Sequence, residues 1–147
     1  MQGGAENKMD EGDFRTLKGY ARQKGPGLTA AMEDYLEMIC RCAGEEGFVR
    51  VRQLAHRLHV SPSSASKMAE LLRKEGYVEY EKYAFIRPTA KGRETGAYLL
   101  RRHAVLERFL RYVNHSQDEL EQVEGIEHFI CENTVRNLEA LLRRLEG

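Results

Sequence analysis

The stretch SPSSASKMAELLRKEGYVEYEKYAFIRP, Ser61 to Pro88, decides the fold of this chain. Its first half predicts a helix, because Ser61 can cap the N-terminus, Pro62 suits the first helical position and Gly76 follows the last turn. Beyond Gly76 the side chains alternate with a period of two, and a tight turn and the segment AFIRP follow, which predicts a short β-hairpin. The stretch therefore contains one helix with clear ends and one hairpin.

A shorter helix is predicted just upstream, within VRVRQLAHRLHV at positions 49–60, and we expect it to bury Leu54, Ala55 and Leu58. The residues HVS join the two helices, and the hairpin follows the second. This order of elements predicts a winged helix-turn-helix.

The outer face of the second helix is the predicted DNA-reading surface. At about 100° per residue, its apolar side chains share one side, while small hydroxyls and Lys67 share the other. Such side chains fit into a major groove, and Lys82 and Arg87 of the hairpin can hold backbone phosphates. The predicted DNA-binding residues are Ser61, Ser63, Ser64, Ser66, Lys67, Lys82 and Arg87. Two alternatives stay open: the serines only cap and solvate the helix, or the module contacts another protein.

The distribution of charge agrees with a polyanionic partner for the centre of the chain. The 147 residues have a net charge of zero, but positions 48–102 hold 12 basic and 5 acidic side chains, a net +7. The flanks at 1–47 and 103–147 carry −3 and −4. Because partners respond to local fields, the centre is expected to bind a polyanion and the flanks to bind cations. A chance partition of surface charge is the alternative.

The rest of the sequence is mostly helical. A first helix is predicted after the N-cap Thr29, and its apolar face is Met32, Leu36 and Ile39. A long helix is predicted at about 91–113, a further helix at 123–133 and a last one at 134–146. The apolar stripe of the last helix is Val135, Leu138, Leu142 and Leu145.

Targeting and redox signals are few. No apolar run approaches the roughly 18 residues that a membrane span needs, and the N-terminus lacks the apolar core of a signal peptide. We therefore expect a cytoplasmic protein with no membrane partner. Three cysteines without a CxxC pair are expected to be reduced thiols.

The stretch QVEGIEHFI, Gln122 to Ile130, places ionisable side chains beside an apolar stripe. Wound as a helix, it brings Glu124, Glu127 and His128 together at spacings i, i+3 and i+4. Two carboxylates and an imidazole at the edge of a buried face are costly unless something satisfies them. A bound cation would satisfy all three.

Side chains from two other helices can complete such a cation site. Asp34 and Glu37 lie one turn apart on the first helix, on the side away from its apolar face, and His103 lies on the long helix. The candidate metal ligands are Asp34, Glu37, His103, Glu124, Glu127 and His128. Oxygen and nitrogen donors without thiolates suit one or two Mn²⁺ or Fe²⁺ ions per subunit. As alternatives, the carboxylates are solvated surface charges, Glu124 and His128 form a surface pair, and His103 extends a basic surface.

Four segments together resemble the DtxR/MntR family of metal-dependent transcriptional repressors: MEDYLEMI, VSPSSASKMAELLRKEGYVEYEKY, RHAVLERFL and VEGIEHFI. The resemblance runs from about Leu28 to the C-terminus and points to the manganese-responsive MntR branch. It implies a homodimer in which a divalent metal acts as corepressor and promotes binding to a palindromic operator in double-stranded DNA.

The resemblance also implies roles and domains. The family's manganese ligands match the six candidate ligands one by one, and the iron-responsive branch typically has methionine at Asp34 and cysteine at Glu124. Mn²⁺ is therefore the expected cofactor, with Fe²⁺ possible. The expected fold class is mainly α: a winged helix-turn-helix DNA-binding domain at 28–101 and a helical dimerisation and metal-binding domain at 102–147. An extension at 1–27 precedes them and receives no role.

Three other functions stay open on the sequence. The nearest is a repressor of the same family that responds to iron, zinc or another metal. The second is a winged-helix regulator without a metal. The third is a di-metal carboxylate enzyme, which is disfavoured because the paired Glu-x-x-His helices of such proteins are absent from the sequence. We expect neither catalysis nor a small organic substrate.

Overall fold

The computed structural model describes residues 27–81 and 85–147 and consists of helices around a small sheet. The helices are α1 (Ala30–Ala43), α2 (Val51–Leu58), α3 (Pro62–Lys74), α4 (Ala90–Asn114), α5 (Leu120–Ile126) and α6 (Glu132–Glu146), with a 3₁₀ turn at Glu127–Phe129. The strands are β1 (Val49–Arg50), β2 (Val78–Tyr80) and β3 (Phe85–Pro88). The mainly α fold class is as predicted.

Helix α1 begins and ends at the signals that the sequence carries. The Thr29 hydroxyl accepts a hydrogen bond from the Met32 amide at 3.1 Å, so Thr29 is the N-cap. The helix stops at Gly44, whose φ of 47° is unfavourable for other residues. Its predicted apolar face, with Leu36 and Ile39, is buried against α2, α3 and α4.

Helices α2 and α3 form the predicted helix-turn-helix. The turn contains His59 in a left-handed conformation, and the Ser61 hydroxyl accepts from the Ser64 amide at 3.1 Å to cap α3. Leu54 and Ala55 are buried as predicted, whereas Leu58 is only half-buried.

The predicted hairpin is part of a three-stranded sheet with the order β1-β3-β2. Strand β2 pairs antiparallel with β3, with Val78 opposite Pro88 and Tyr80 opposite Ile86. The two-residue strand β1 was not predicted, because two residues are too short to show a period of two. The tip of the hairpin, with Lys82, lies outside the described residues.

The start of α4 is fastened to the segment that follows α3. Thr89 caps α4 by accepting from the Gly92 amide, and its hydroxyl donates to the Gly76 carbonyl at 2.7 Å. A Cβ on Gly92 would lie 1.9 Å from the Tyr77 carbonyl oxygen, so only glycine permits this approach. These contacts fix the helix-turn-helix to α4, which also packs against α1 and α6.

The predicted helix at 123–133 is interrupted. Helix α5 ends at Ile126, the 3₁₀ turn follows, and Ile130 is extended before α6 begins. On α6, Val135 and Leu142 are buried, but Leu145 is 45% exposed, so the predicted stripe stops short of the C-terminus in the single chain. Throughout 27–81 and 85–147, the helices lack the combination of length and apolar character needed to cross a membrane.

Candidate metal centre and nucleic-acid interface

Five of the six candidate ligands form two clusters that share one carboxylate. In the first cluster, donor atoms of Asp34, Glu127 and His128 all lie within 4.8 Å of one another. In the second, the same holds for Glu37, His103 and Glu127. Glu127 belongs to both clusters and is only 2% exposed. Helix α1, helix α4 and the 3₁₀ turn therefore meet at this carboxylate.

The sequence placed Glu37 on the side of α1 that faces away from its apolar residues, but this side is not exposed to solvent at Glu37. Its residue is 8% exposed, because α4 covers this side of the helix and presents His103 to it. The side chain of Asp34, one turn earlier, is about half exposed. The two carboxylates thus occupy different environments. Glu37 belongs to the buried cluster with His103 and Glu127, whereas Asp34 lies at the exposed edge of the cluster with Glu127 and His128.

In the cluster of Glu37, His103 and Glu127, the pKa values of Glu37 and His103 are both raised, for different physical reasons. Burial raises the pKa of Glu37, although Arg41 donates to its carboxylate at 3.0 Å and opposes the shift. The hydrogen bond between Nδ1 of His103 and Oε1 of Glu127, 3.1 Å long, raises the pKa of His103. The imidazole of His103 and the carboxylate of Glu127 therefore stabilise each other in this cluster.

His128 lies between two carboxylates of α1. Its Nε2 is 3.0 Å from Oδ1 of Asp34, and its Nδ1 is 2.7 Å from Oε1 of Glu33. The hydrogen bonds to Asp34 and Glu33, in that order of importance, raise the pKa of His128 to about 9. His128 is therefore held by α1 although it belongs to the 3₁₀ turn.

Glu124 is the candidate ligand that the structure does not bring together with the others. Among the described residues it belongs to neither cluster, and its side chain is exposed. The prediction that Glu124, Glu127 and His128 lie together assumed that positions 123–133 form one continuous helix. The chain instead leaves α5 at Ile126, and the 3₁₀ turn carries Glu127 inward while Glu124 stays on the outer side of α5.

Two residues beside the clusters were missed. Glu33 contacts His128, and Arg102 contacts Glu33 with its Nη2 3.1 Å from Oε1. Arg102 belongs to the basic segment 48–102, but it is 3% exposed and so is not part of a basic surface. Neither residue has a sequence signal beyond its place next to a candidate ligand, Asp34 or His103.

The chemistry of the clusters fits a divalent cation. Each cluster combines carboxylate oxygens with one imidazole, and neither contains a cysteine. Such donors suit Mn²⁺ or Fe²⁺ better than a structural zinc site. Glu37, His103 and Glu127 are all buried, and buried carboxylates at close range are costly without a balancing positive charge.

The predicted DNA-reading helix exposes part of its candidate face. Ser63, Ser64 and Lys67 are exposed on α3, as is the capping Ser61. The hydroxyl of Ser66 is partly buried and lies 2.6 Å from that of Tyr80 on β2, so it ties α3 to the wing.

Arg87 is exposed on β3, where its guanidinium lies 5.0 Å from the centre of the Phe85 ring and 3.9 Å from Glu79. The Arg87 guanidinium can turn toward a phosphate at little cost in free energy, because an exposed ion pair contributes little to stability. Lys82, the other wing residue of the prediction, lies outside the described residues.

Two family models match the chain, one after the other. Residues 27–85 match "Iron dependent repressor, N-terminal DNA binding domain". Residues 89–147 match "Iron dependent repressor, metal binding and dimerisation domain". Together the two models span nearly all of the described residues.

Curated relatives are named HTH-type transcriptional regulator MntR. The protein of Lysinibacillus sphaericus is 39% identical over 119 residues, which is 80% of this chain and 86% of the relative. The protein of Geobacillus kaustophilus is 41% identical over 127 residues, which is 81% of this chain and 90% of the relative.

Solved structures show the same fold. The manganese regulator SloR has a TM-score of 0.67 at 30% identity, with 79% of this chain and 55% of that chain covered. A manganese-dependent transcriptional repressor complex with manganese has a TM-score of 0.62 at 30% identity, with 76% and 52% covered. This chain thus spans little more than half the length of those two proteins. The family consists of transcriptional regulators and not of enzymes, and the chain belongs to it as a member of the DtxR/MntR metal-dependent repressors.

Proposed function

We propose that this chain is a manganese-responsive repressor that controls metal homeostasis as a homodimer on a palindromic operator. The observation that carries the proposal is Glu127, which is shared by both donor clusters where α1, α4 and the 3₁₀ turn meet. Relatives named MntR and solved manganese regulators support manganese as the metal. Because its target is chromosomal DNA, we place the protein in the cytoplasm.

Six residues would hold the metal. Asp34 and His128 serve one position, Glu37 and His103 the other, and Glu127 serves both. Glu124 is proposed to join them from the outer side of α5. The shared carboxylate favours two ions per subunit over one. A bound divalent cation supplies positive charge that lets the carboxylates stay close together.

The chain's own packing links this centre to DNA. Helix α1 carries Asp34 and Glu37 and packs against α2, α3 and β3 of the helix-turn-helix. The other donors lie on α4 and beyond, within the segment that matches the dimerisation model. Holding these donors together would fix the separation of two α3 helices in the dimer. A two-fold dimer needs roughly 34–36 Å between them to reach successive major grooves.

The boundary at 101/102 marks the proposed division of labour. Residues 28–101 would read DNA through Ser61, Ser63, Ser64, Ser66, Lys67, Lys82 and Arg87, and would also supply Asp34 and Glu37 to the metal centre. Residues 102–147 would dimerise and supply the other four ligands. Holding the donors together favours the DNA-competent geometry, and bound DNA in return favours metal binding.

The test needs a DNA probe, because the operator is unknown. Duplexes selected from a random library on the full chain with MnCl₂ supply one, and palindromic sequences are expected to be enriched. Fluorescence anisotropy then measures the affinity for a selected duplex in EDTA, MnCl₂ and, under anaerobic conditions, FeSO₄. We expect Mn²⁺ to raise the affinity roughly 5–150-fold, the usual range of such coupling.

Two results would replace the proposal with a rival. A larger rise with Fe²⁺ than with Mn²⁺ at matched free metal would identify an iron-responsive repressor. Equal affinity in EDTA and in both metals would identify a metal-independent winged-helix regulator.

A further inference from the structure

Glu33 lies next to the candidate ligand Asp34 on α1 and points at the same imidazole. Its Oε1 is 2.7 Å from Nδ1 of His128, while Oδ1 of Asp34 is 3.0 Å from Nε2. The side chain of Glu33 is 19% exposed, against 51% for Asp34. The more buried of the two carboxylates therefore holds the nitrogen that faces away from Asp34.

This geometry decides which imidazole nitrogen is offered to a cation. A carboxylate only accepts hydrogen bonds, so the contact to Glu33 places a proton on Nδ1 of His128 and the contact to Asp34 places one on Nε2. Of the two carboxylates, Asp34 is the one that shares a donor cluster with His128, so Nε2 is the nitrogen that would give up its proton to a cation. Nδ1 is then engaged, and Nε2 is the nitrogen directed toward Asp34 and the first cluster. Arg102 also approaches Nδ1, at 3.4 Å, but two N–H groups cannot donate to each other, so the guanidinium bonds Glu33 instead.

Arg102 in turn holds Glu33. It is 3% exposed on α4, and its Nη2 donates to Oε1 of Glu33 at 3.1 Å. Within the described part of the chain, its Nε is buried without a hydrogen-bond partner. A buried guanidinium needs a partner of opposite charge, and Glu33 supplies it.

We propose that Glu33 and Arg102 are positioning residues that fix the orientation of His128, so that its Nε2 faces the metal position it shares with Asp34. Arg102 on α4 anchors Glu33 on α1, and Glu33 anchors His128 on the 3₁₀ turn. Metal-binding histidines are commonly fixed in this way by a carboxylate on the other ring nitrogen. The inference rests on the proposed metal site and adds two residues that contact no metal.

Through His128, the residues Glu33 and Arg102 join α1, α4 and the 3₁₀ turn, the three elements that also meet at Glu127. The contacts of Glu33 and Arg102 are made between protein side chains and hold the His128 ring in one orientation. Pre-orientation lowers the cost of binding, because the ring does not have to be ordered by the metal itself.

Four variants separate positioning from folding. Glu33→Gln keeps an oxygen that accepts from Nδ1, while Glu33→Ala removes it. Glu33→Ala combined with Arg102→Met removes the carboxylate without leaving a buried charge unpaired. Glu107→Gln is the matched control, because Glu107 pairs with Arg111 on the surface of the same helix α4 at 3.5 Å.

Mn²⁺ binding is measured on the full chain without DNA by the electron paramagnetic resonance signal of free Mn²⁺, beside thermal unfolding in EDTA. We expect Glu33→Ala and the double variant to bind Mn²⁺ roughly 10–100-fold more weakly, the usual effect of such outer partners. Glu33→Gln should lose less, and Glu107→Gln should match the wild type. Affinity equal to wild type in the double variant would overturn the inference.

Nitrogen-15 shifts of His128 in the Zn²⁺-loaded wild type give a second readout. We expect a metal-bound Nε2 and a protonated Nδ1; a metal-bound Nδ1 would overturn the inference. Failure of the wild type to bind Mn²⁺ at all would instead refute the proposed function, so the two failures are distinguishable.

Discussion

Oε1 of Glu127, on the 3₁₀ turn, lies 3.1 Å from Nδ1 of His103 on α4. The same carboxylate belongs to the cluster formed with Asp34 and His128. Glu127 is thus the residue through which the two candidate metal positions are connected.

Replacement of Glu127 is therefore expected to affect both positions. Glu127→Gln keeps the shape of the side chain but removes its charge, so it should weaken Mn²⁺ binding more than Asp34→Asn or Glu37→Gln, each of which touches one cluster. Calorimetric titration of the three variants with MnCl₂ measures the order. A Glu127→Gln variant that binds as well as Asp34→Asn would show that the carboxylate is not shared.

Replacement of Glu124 is expected to change the response to metal without changing stability. Its side chain is exposed and lies outside both clusters, so Glu124→Ala should leave the unfolding temperature in EDTA unchanged. We still expect the variant to fold as a dimer and to lose metal-stimulated DNA binding, since Glu124 is a proposed ligand. Sedimentation and anisotropy check both points. Undiminished stimulation by Mn²⁺ would remove Glu124 from the ligand set.

Lys67 tests the separation of DNA reading from metal binding. It is exposed on α3, and none of the candidate ligands lies on that helix. Lys67→Ala should weaken binding to the selected duplex by about 1–3 kcal/mol and leave the Mn²⁺ affinity without DNA unchanged. Arg136→Ala, an exposed change on α6, is the control for lost positive charge. A large loss of Mn²⁺ affinity in Lys67→Ala would mean that DNA reading and metal binding are not carried by separate residues.

Gly96 tests the packing of α1 against α4. A Cβ at this position would lie 2.3 Å from Sγ of Cys40, so Gly96→Ala should force the helices apart and cost about 1–3 kcal/mol of stability. Because Glu37 and His103 face each other across the same pair of helices, Mn²⁺ affinity should fall as well.

The control for this change is Gly125→Ala, since a Cβ at Gly125 meets nothing within 4 Å. Combining Gly96→Ala with Cys40→Ala removes the sulfur but leaves Cβ of residue 40 at 3.2 Å from the new Cβ, so it should recover part of the stability and metal affinity, measured by thermal unfolding and Mn²⁺ titration. If the Gly96→Ala variant alone matched the wild type in both, the close packing of the two helices would not matter for the site.

Much of the fold was predictable because its signals are local. The hydroxyls of Thr29 and Ser61 cap their helices by accepting hydrogen bonds from amides three residues later, and such spacings are readable from sequence. Strand β1 was not predictable, since Val49 and Arg50 become a strand only by pairing with β3. The break after Ile126 was missed because the apolar spacing of the stretch continues through it.

The ligand types were predictable, but their surroundings depend on tertiary packing. The sequence shows Asp34 and Glu37 one turn apart, yet only the position of α4 makes Glu37 buried and leaves Asp34 half exposed. Likewise, Arg101 and Arg102 are identical side chains in sequence, but one pairs with Glu139 near the surface and the other is buried against Glu33.

The central claim is that metal binds where α1, α4 and the 3₁₀ turn meet. Anomalous difference density from crystals of the full chain grown with MnCl₂ tests it most directly. We predict two peaks per chain, one among Asp34, Glu127 and His128 and one among Glu37, His103 and Glu127. Crystals with bound manganese but without a peak in either cluster would contradict the claim.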